Sequence, residues 1–305
     1  PKLLRSGDRL VLNDTQVVPA RIVGYRTDTG GKWEGLFLRK GDGSDWHILS
    51  QTRGRLQAGE TVTLSSIHHP DDTPPLVVKL QDRDDDGIWR AQPDSDEDAF
   101  ELLHQYGTVP LPPYIQRKIA ADADWNRYQT TFAASPGSVA APTAGLHFTP
   151  ELLSECADRG IEHSRVTLHV GIGTFRPISV ERLSAHEMHS EWCELSASTA
   201  QELRKTKESG GRIVSIGTTS VRTLETAAGS GSIQSWSGNT SLFIRPPYEF
   251  HAVDCLLTNF HLPKSTLLVL VSAFAGRDFI LEAYREAVAA GYRFFSYGDC
   301  MLIES

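Results

Sequence analysis

Five of the eleven histidines lie in short segments crowded with Gly, Thr and Asn, where an imidazole could move protons near neutral pH. The segments are Thr143-Ala144-Gly145-Leu146-His147, His169-Val170-Gly171-Ile172-Gly173-Thr174, His186-Glu187-Met188-His189-Ser190-Glu191 and Thr258-Asn259-Phe260-His261. General acid–base candidates are therefore His147, His169, His189 and His261, with Glu191 to orient a ring. His186 and His189 beside Glu187 also invite a zinc reading, but H-E-x-H is not the H-E-x-x-H pattern that sets two histidines one helical turn apart. Protons or substrate hydrogen bonds are the other use of such a group.

A second kind of chemistry is written in Ile213-Val214-Ser215-Ile216-Gly217-Thr218-Thr219-Ser220-Val221-Arg222. This text reads as strand, tight turn and helix start, and free N–H groups with hydroxyls at a helix N-terminus suit a carboxylate or phosphate. An ordinary side-chain cap by Thr219 or Ser220 is the alternative. Gly171-Ile172-Gly173 lacks a third glycine and a following helix, so no dinucleotide fingerprint is present. Tyr106, Tyr114, Arg127 and Tyr128 could stack on an unpaired RNA base or pack a domain junction.

Positioning these groups falls to two kinds of text. From Arg21 to about Leu80, short β-like runs alternate with Gly-rich turns, which predicts a small antiparallel barrel or sandwich. Asp82–Asp86 reads as a hairpin tip, and Asp98–Tyr106 as a short helix. After about Pro142, helices of ten or more residues alternate with short apolar strands, as in an α/β layer domain. Thr149 and Pro150 open one helix and Gly160 closes it; Ser198–Ser209, Ser220–Ala228, Thr266–Ala275 and Asp278–Ala289 are the others. The expected class is mixed α/β, with residues 1–18 and 110–305 forming the larger α/β catalytic domain and 19–109 the β-barrel-like one.

Composition narrows the function classes. The net charge of −8 argues against a nucleic-acid partner until its distribution is read. Between Asp71 and Glu101 eleven acids face three bases, so the remainder of the chain is neutral and residues 1–60 are mildly basic. No apolar run is long enough to span a membrane and no signal peptide opens the sequence, so a cytoplasmic location is expected. Cys156, Cys193, Cys255 and Cys300 are scattered, without a C-x-x-C pair, and read as small buried hydrophobes.

Long ordered motifs across the chain resemble the queuosine family of S-adenosylmethionine:tRNA ribosyltransferase-isomerases. They include Leu12-Asn13-Asp14-Thr15, Pro19-Ala20-Arg21, Val109-Pro110-Leu111-Pro112-Pro113-Tyr114-Ile115 and Val139-Ala140-Ala141-Pro142-Thr143-Ala144-Gly145-Leu146-His147-Phe148. Gly217–Arg222, Thr258-Asn259-Phe260-His261-Leu262-Pro263 and Phe294-Phe295-Ser296-Tyr297-Gly298-Asp299 complete the set. Family members begin a few tens of residues earlier, with strand material absent here, and Gln16 stands where they place Arg. The resemblance implies transfer and isomerisation of the ribosyl group of S-adenosylmethionine onto 7-aminomethyl-7-deazaguanine at the wobble position of tRNA with a GUN anticodon. Epoxyqueuosine-tRNA, adenine and methionine are the implied products, with S-adenosylmethionine as co-substrate, no cofactor or metal, and a monomer.

It implies a substrate site drawn from Asn13, Asp14, Thr15, Thr143, Gly145, Gly171, Gly173, Thr174, Thr218, Thr219, Ser220, Arg222, Asn259 and Asp299. Within it, Gly217–Ser220 with Arg222 are expected on the methionine carboxylate and Asn259 on a ribose hydroxyl. A tRNA-binding module without chemistry and a metal-dependent hydrolase are the competing readings. Adenine release that depends on tRNA distinguishes the transferase from both.

Overall fold

The computed structural model describes residues 1–66, 72–111, 127–171, 173 and 177–304. Thr174 and the motif residues Pro112, Pro113, Tyr114 and Ile115 lie outside the described residues. The chain divides into two compact units, residues 17–128 with 136–140, and residues 1–16, 129–135 and 141–305. The smaller unit thus runs on past residue 109 and takes in residues 136–140 as well.

After β1 (Arg9–Asn13) and β2 (Thr15–Val17), the smaller unit supplies β3 (Arg21–Arg26), β4 (Lys32–Lys40), β5 (Trp46–Thr52), β6 (Thr61–Leu64), β7 (Leu76–Arg83) and β8 (Ile88–Pro93). Helix α1 (Ala99–Tyr106) and β9 (Gly107–Thr108) follow. All pairings are antiparallel, and β3 closes the circle because it pairs with β4 on one side and β6 on the other. The product is a closed six-stranded barrel with β9 added on the first residues of β3, as the short alternating runs predicted. Alternation is plain in β4 and β8, whose buried positions recur every second residue and carry Trp33, Phe37, Trp89 and Ala91 inward. Asp98 caps α1 by accepting the Phe100 N–H.

Strand β10 (Ser135–Ser138) falls mostly in the smaller unit, and the larger unit continues with α2 (Pro150–Asp158), β11 (Glu162–Leu168), β12 (Glu191–Leu195), α3 (Ala197–Glu208), β13 (Ile213–Ile216) and α4 (Thr218–Ala227). Then come β14 (Trp236–Thr240), β15 (Cys255–Asn259), α5 (Thr266–Ala275), α6 (Arg277–Ala289) and β16 (Cys300–Glu304). Seven strands form one sheet in the order β14-β12-β11-β1-β13-β15-β16. Its centre, β11-β1-β13-β15, is parallel, and the outer strands are antiparallel.

The central strands are buried on both faces, so their text is apolar without alternation. Val11, Ile213 and Leu256 meet α3, α4 and α5 on one face, through Leu203, Val221, Leu224 and Leu270. Leu10, Leu12, Val214 and Ile216 meet Cys156 of α2 and Phe132 and Phe148 on the other. Mixed α/β architecture therefore stands as expected. No described helix is long and apolar enough to cross a membrane. The four cysteines are free, and Cys156, Cys193 and Cys255 are buried.

Parallel pairing brings the carboxyl ends of β1, β11, β13 and β15 to one edge of the sheet. The parallel strand that follows β1 lies on one side of it, and the one that follows β13 lies on the other. Between β1 and β13 the order reverses, which is where open α/β sheets leave a crevice for a ligand.

Candidate active site

Each of the four parallel strands delivers one of the sequence segments to that edge. Strand β1 ends in Asn13, which is 1% exposed and whose carboxamide extends the strand pairing: Nδ2 donates to the Leu168 carbonyl at 3.0 Å, and Oδ1 accepts the Leu168 N–H at 3.0 Å. The same Oδ1 accepts the Thr15 N–H at 3.2 Å. Thr15 is thereby held with its Oγ1 2.7 Å from His169 Nδ1, just past the end of β11. Thr15 Oγ1 also reaches the Ser135 carbonyl at 3.5 Å. Asp14 accepts the Thr167 hydroxyl at 2.7 Å.

His169 is partly buried and stacks on Trp192, with ring centroids 5.1 Å apart and planes 21° apart. Burial lowers its pKa below the ordinary imidazole value, against an opposing pull from the Asp14 carboxylate. The ring is neutral at pH 7 and able to accept a proton.

A second histidine belongs to the β15 end. Asn259, 2% exposed, lies between Thr143, whose hydroxyl donates to Oδ1 at 3.0 Å, and His147, whose Nε2 is 3.1 Å from Nδ2. Its Nδ2 also donates to the Phe295 carbonyl at 3.3 Å. Both ends of this amide, expected on a ribose hydroxyl, are thus already engaged by protein. Gly145 sits in the same turn, where a Cβ would come within 2.8 Å of Thr130 Cγ2 and 2.9 Å of Phe132.

Helix α4 opens at the β13 end on Gly217, whose φ of +89° only glycine adopts without strain, and whose Cβ position is 3.2 Å from Ala144. No side chain caps the helix, so the cap role considered for Thr219 or Ser220 falls away: Ser220 Oγ instead donates to the Ile216 carbonyl at 2.9 Å. Thr219 Oγ1 is buried without a hydrogen-bond partner among the described residues. The first amides of α4 thus lie beside this hydroxyl and Thr218 without a side-chain cap, the kind of helix start whose N–H groups suit an anion.

Arg222 does not join it. This arginine is 5% exposed, pairs with Glu191, and donates from Nε to the Leu242 carbonyl at 3.2 Å. Glu191, expected to orient an imidazole, accepts the Gly171 N–H at 2.7 Å with its other oxygen. Arg222 and Glu191 line a pocket with Gly173, His186, His189 and the apolar Met188, Phe243 and Leu267. His189 is exposed and lies over Gly173, where a Cβ would fall 2.1 Å from its Cδ2.

His261 stands apart in character. Its Nε2 is 2.9 Å from Thr258 Oγ1, its N–H donates to the Tyr284 hydroxyl at 2.8 Å, and burial lowers its pKa to about 4. A ring so resistant to protonation is poor at either acid or base duty near pH 7. Because the unfolded value is near 6.5, the unfolded chain binds the extra proton first on acidification. Stability tied to His261 is complete above about 6.5 and is lost as pH falls toward about 4. Urea titrations at several pH values are expected to show a flatter profile for His261→Gln across that window, and an unchanged slope contradicts this.

Asp299 is bound to Arg293, accepting its N–H at 2.7 Å and its guanidinium at 3.0 Å, which holds the carboxyl below the usual carboxylate range. Among the described residues no group of three His, Cys, Asp or Glu side chains is placed to hold a metal ion. Trp192, the Ser135 and Phe295 carbonyls and Tyr284 escaped sequence reasoning. Trp192 adjoins Glu191 in the sequence and could have been noticed; backbone carbonyls leave no signal in side-chain text.

Comparison with known proteins agrees with this architecture. The family model described as queuosine biosynthesis protein matches residues 1–303. A crystal structure of S-adenosylmethionine tRNA ribosyltransferase from Thermotoga maritima is 35% identical, over 99% of this chain and 84% of that one, with a TM-score of 0.50. A family match of this extent, joined by that identity along almost the whole length, places the chain in the queuosine biosynthesis protein family.

Proposed function

We propose that this chain transfers the ribosyl group of S-adenosylmethionine to 7-aminomethyl-7-deazaguanine in tRNA bearing a GUN anticodon, and isomerises it to the epoxycyclopentane of epoxyqueuosine. The observation that carries the reading is His169, neutral and tied to Thr15, at the carboxyl edge of the central strands in a chain of this family. With Nδ1–H donating to Thr15 Oγ1 and the hydroxyl passing its proton toward the Ser135 carbonyl, Nε2 keeps a lone pair for the substrate.

The positive sulfur of S-adenosylmethionine acidifies the C5′ hydrogens. His169 Nε2 takes one of them as a proton, and the electron pair stays on carbon as an ylide. The pair on C5′ expels the ring oxygen from C4′, leaving a vinyl sulfonium, and that oxygen forms a carbonyl at C1′ as adenine leaves with a proton from an acid. The aminomethyl nitrogen then adds to C4′ and gives up a proton, and the C5′ ylide so regenerated bonds to C1′ to close the five-membered carbon ring. The resulting C1′ oxyanion closes the epoxide on C5′ as the C5′–S bond breaks with its electrons on sulfur, giving methionine. The α4 amides with Thr218 and Thr219 are proposed to receive the methionine carboxylate, and no metal or redox cofactor enters the scheme.

Incubation of the protein with S-adenosylmethionine and tRNA carrying the aminomethyl base is expected to release adenine and methionine in equal amounts. The same tRNA with guanine at the wobble position is expected to release neither. Adenine release indifferent to the base, or tRNA binding without release, overturns the proposal.

A further inference from the structure

Asn259 engages His147 in a geometry that leaves little choice of proton position. A backbone carbonyl can only accept, so the atom 3.3 Å from the Phe295 oxygen is the amide nitrogen of Asn259. That orientation turns Oδ1 toward Thr143, whose hydroxyl donates to it at 3.0 Å. The nitrogen carries two protons: one faces Phe295, and the other faces His147 Nε2 at 3.1 Å. An imidazole nitrogen that receives a proton donor must be bare, so the ring proton of neutral His147 sits on Nδ1.

The arrangement is held at some expense to the backbone. Phe295 has φ +74°, a left-handed conformation that costs a bulky residue about 1–3 kcal/mol. In that conformation its N–H donates to the Phe260 carbonyl at 3.1 Å while its own carbonyl receives Asn259.

We propose that Asn259 is a positioning residue that fixes His147 as a neutral Nδ1–H donor, so that His147 presents a proton to the substrate and His169 alone acts as base. The role of the proton rests on the ribosyl-transfer reading; the tautomer does not. Protonation of Nε2 would set two donors against each other, and burial further disfavours the imidazolium. Of the charged groups around the ring, Asp299 favours protonation and Arg293 opposes it, and these two are joined to each other. The geometry suits a hydrogen-bond donor aimed at a developing anion or a departing base, and it does not suit proton abstraction.

The test uses the full chain with 15N-labelled histidine, His147 signals being identified by their loss in His147→Gln. The wild-type protein is expected to show protonated Nδ1 and bare Nε2 at pH 7. Asn259→Asp replaces the donor with an acceptor, so Nε2 is expected to gain a proton and the His147 pKa to rise by about one unit or more. Adenine release at pH 7 should fall by roughly tenfold or more and recover in part as pH is lowered, because imidazolium formation returns a proton to Nδ1. Thr143→Val removes a hydroxyl that could serve either amide orientation and leaves the Phe295 carbonyl in place, so the Nδ1–H tautomer is expected to persist. A shift of the proton to Nε2 in that variant overturns the assignment of the orientation to Phe295.

A wild-type His147 protonated on Nε2 overturns the proposal without touching the ribosyl-transfer reading, and needs no variant to fold. An Asn259→Asp protein with unchanged His147 titration and unchanged pH profile overturns it as well. Correct tautomers in a protein that releases no adenine overturn the ribosyl-transfer reading and with it the role of the proton, leaving the positioning of the ring in place.

Discussion

His169→Ala is expected to lower tRNA-dependent adenine release by roughly 10²–10⁴-fold, the range general-base catalysis supplies. Of the three histidines hydrogen-bonded at the strand ends, His169 keeps the lone pair of Nε2 unclaimed, whereas His147 receives Asn259 on Nε2 and His261 bonds Thr258 through Nε2; His189 is an exposed ring over Gly173. Since only the neutral form accepts a proton, kcat/KM of the wild-type enzyme should fall as pH drops through the His169 value, which lies below 6.5. Thr15→Val, which removes the acceptor for Nδ1–H, should lose less than His169→Ala and leave urea stability close to wild type. Initial rates with both variants, followed as adenine, decide the matter. Near-normal turnover by His169→Ala transfers the base role to another group.

The largest effect on stability is expected from Arg222→Met, a loss of about 3–5 kcal/mol. Arg222 and Glu191 are 5% and 7% exposed, and removing the guanidinium leaves the carboxylate buried with the Gly171 N–H but without its counter-charge. The Thr240 and Leu242 carbonyls lose their donors in the same stroke. Combining Arg222→Met with Glu191→Gln should recover part of the loss, because the remaining group is neutral and still accepts the Gly171 N–H. Urea denaturation of the single and double variants measures both numbers. Weakened binding of S-adenosylmethionine with unchanged stability would instead return Arg222 to the substrate.

Much of this fold was legible because its signals are local. Thr149 and Pro150 opened α2, and the Gly-rich turns marked the barrel strands, since caps and turns depend on a few adjacent residues. Helix α4 began two residues before the expected Ser220, because backbone freedom at Gly217, and not a hydroxyl, starts it. Strands β12, β14 and β16 were missed: Glu191–Leu195 is masked by the polar residues before it, and Trp236–Thr240 by the Gly and Ser around it.

Site residues were legible as a set and not as partners. Asn13, Thr15 and His169 were all named, yet only the pairing of β1 with β11 shows that one carboxamide seats the other two. Arg222 and Glu191, 31 positions apart, each looked available for a ligand until folding joined them.

The central claim is that the sugar of S-adenosylmethionine lies over the carboxyl edge of β1 and β11 with C5′ against His169. A crystal structure of the complex with S-adenosylmethionine tests it most directly. The account predicts C5′ about 3–3.5 Å from His169 Nε2, near-attack distance, with the carboxylate at the first amides of α4. A nucleoside seated on the smaller unit, or one whose C5′ faces away from His169, contradicts it.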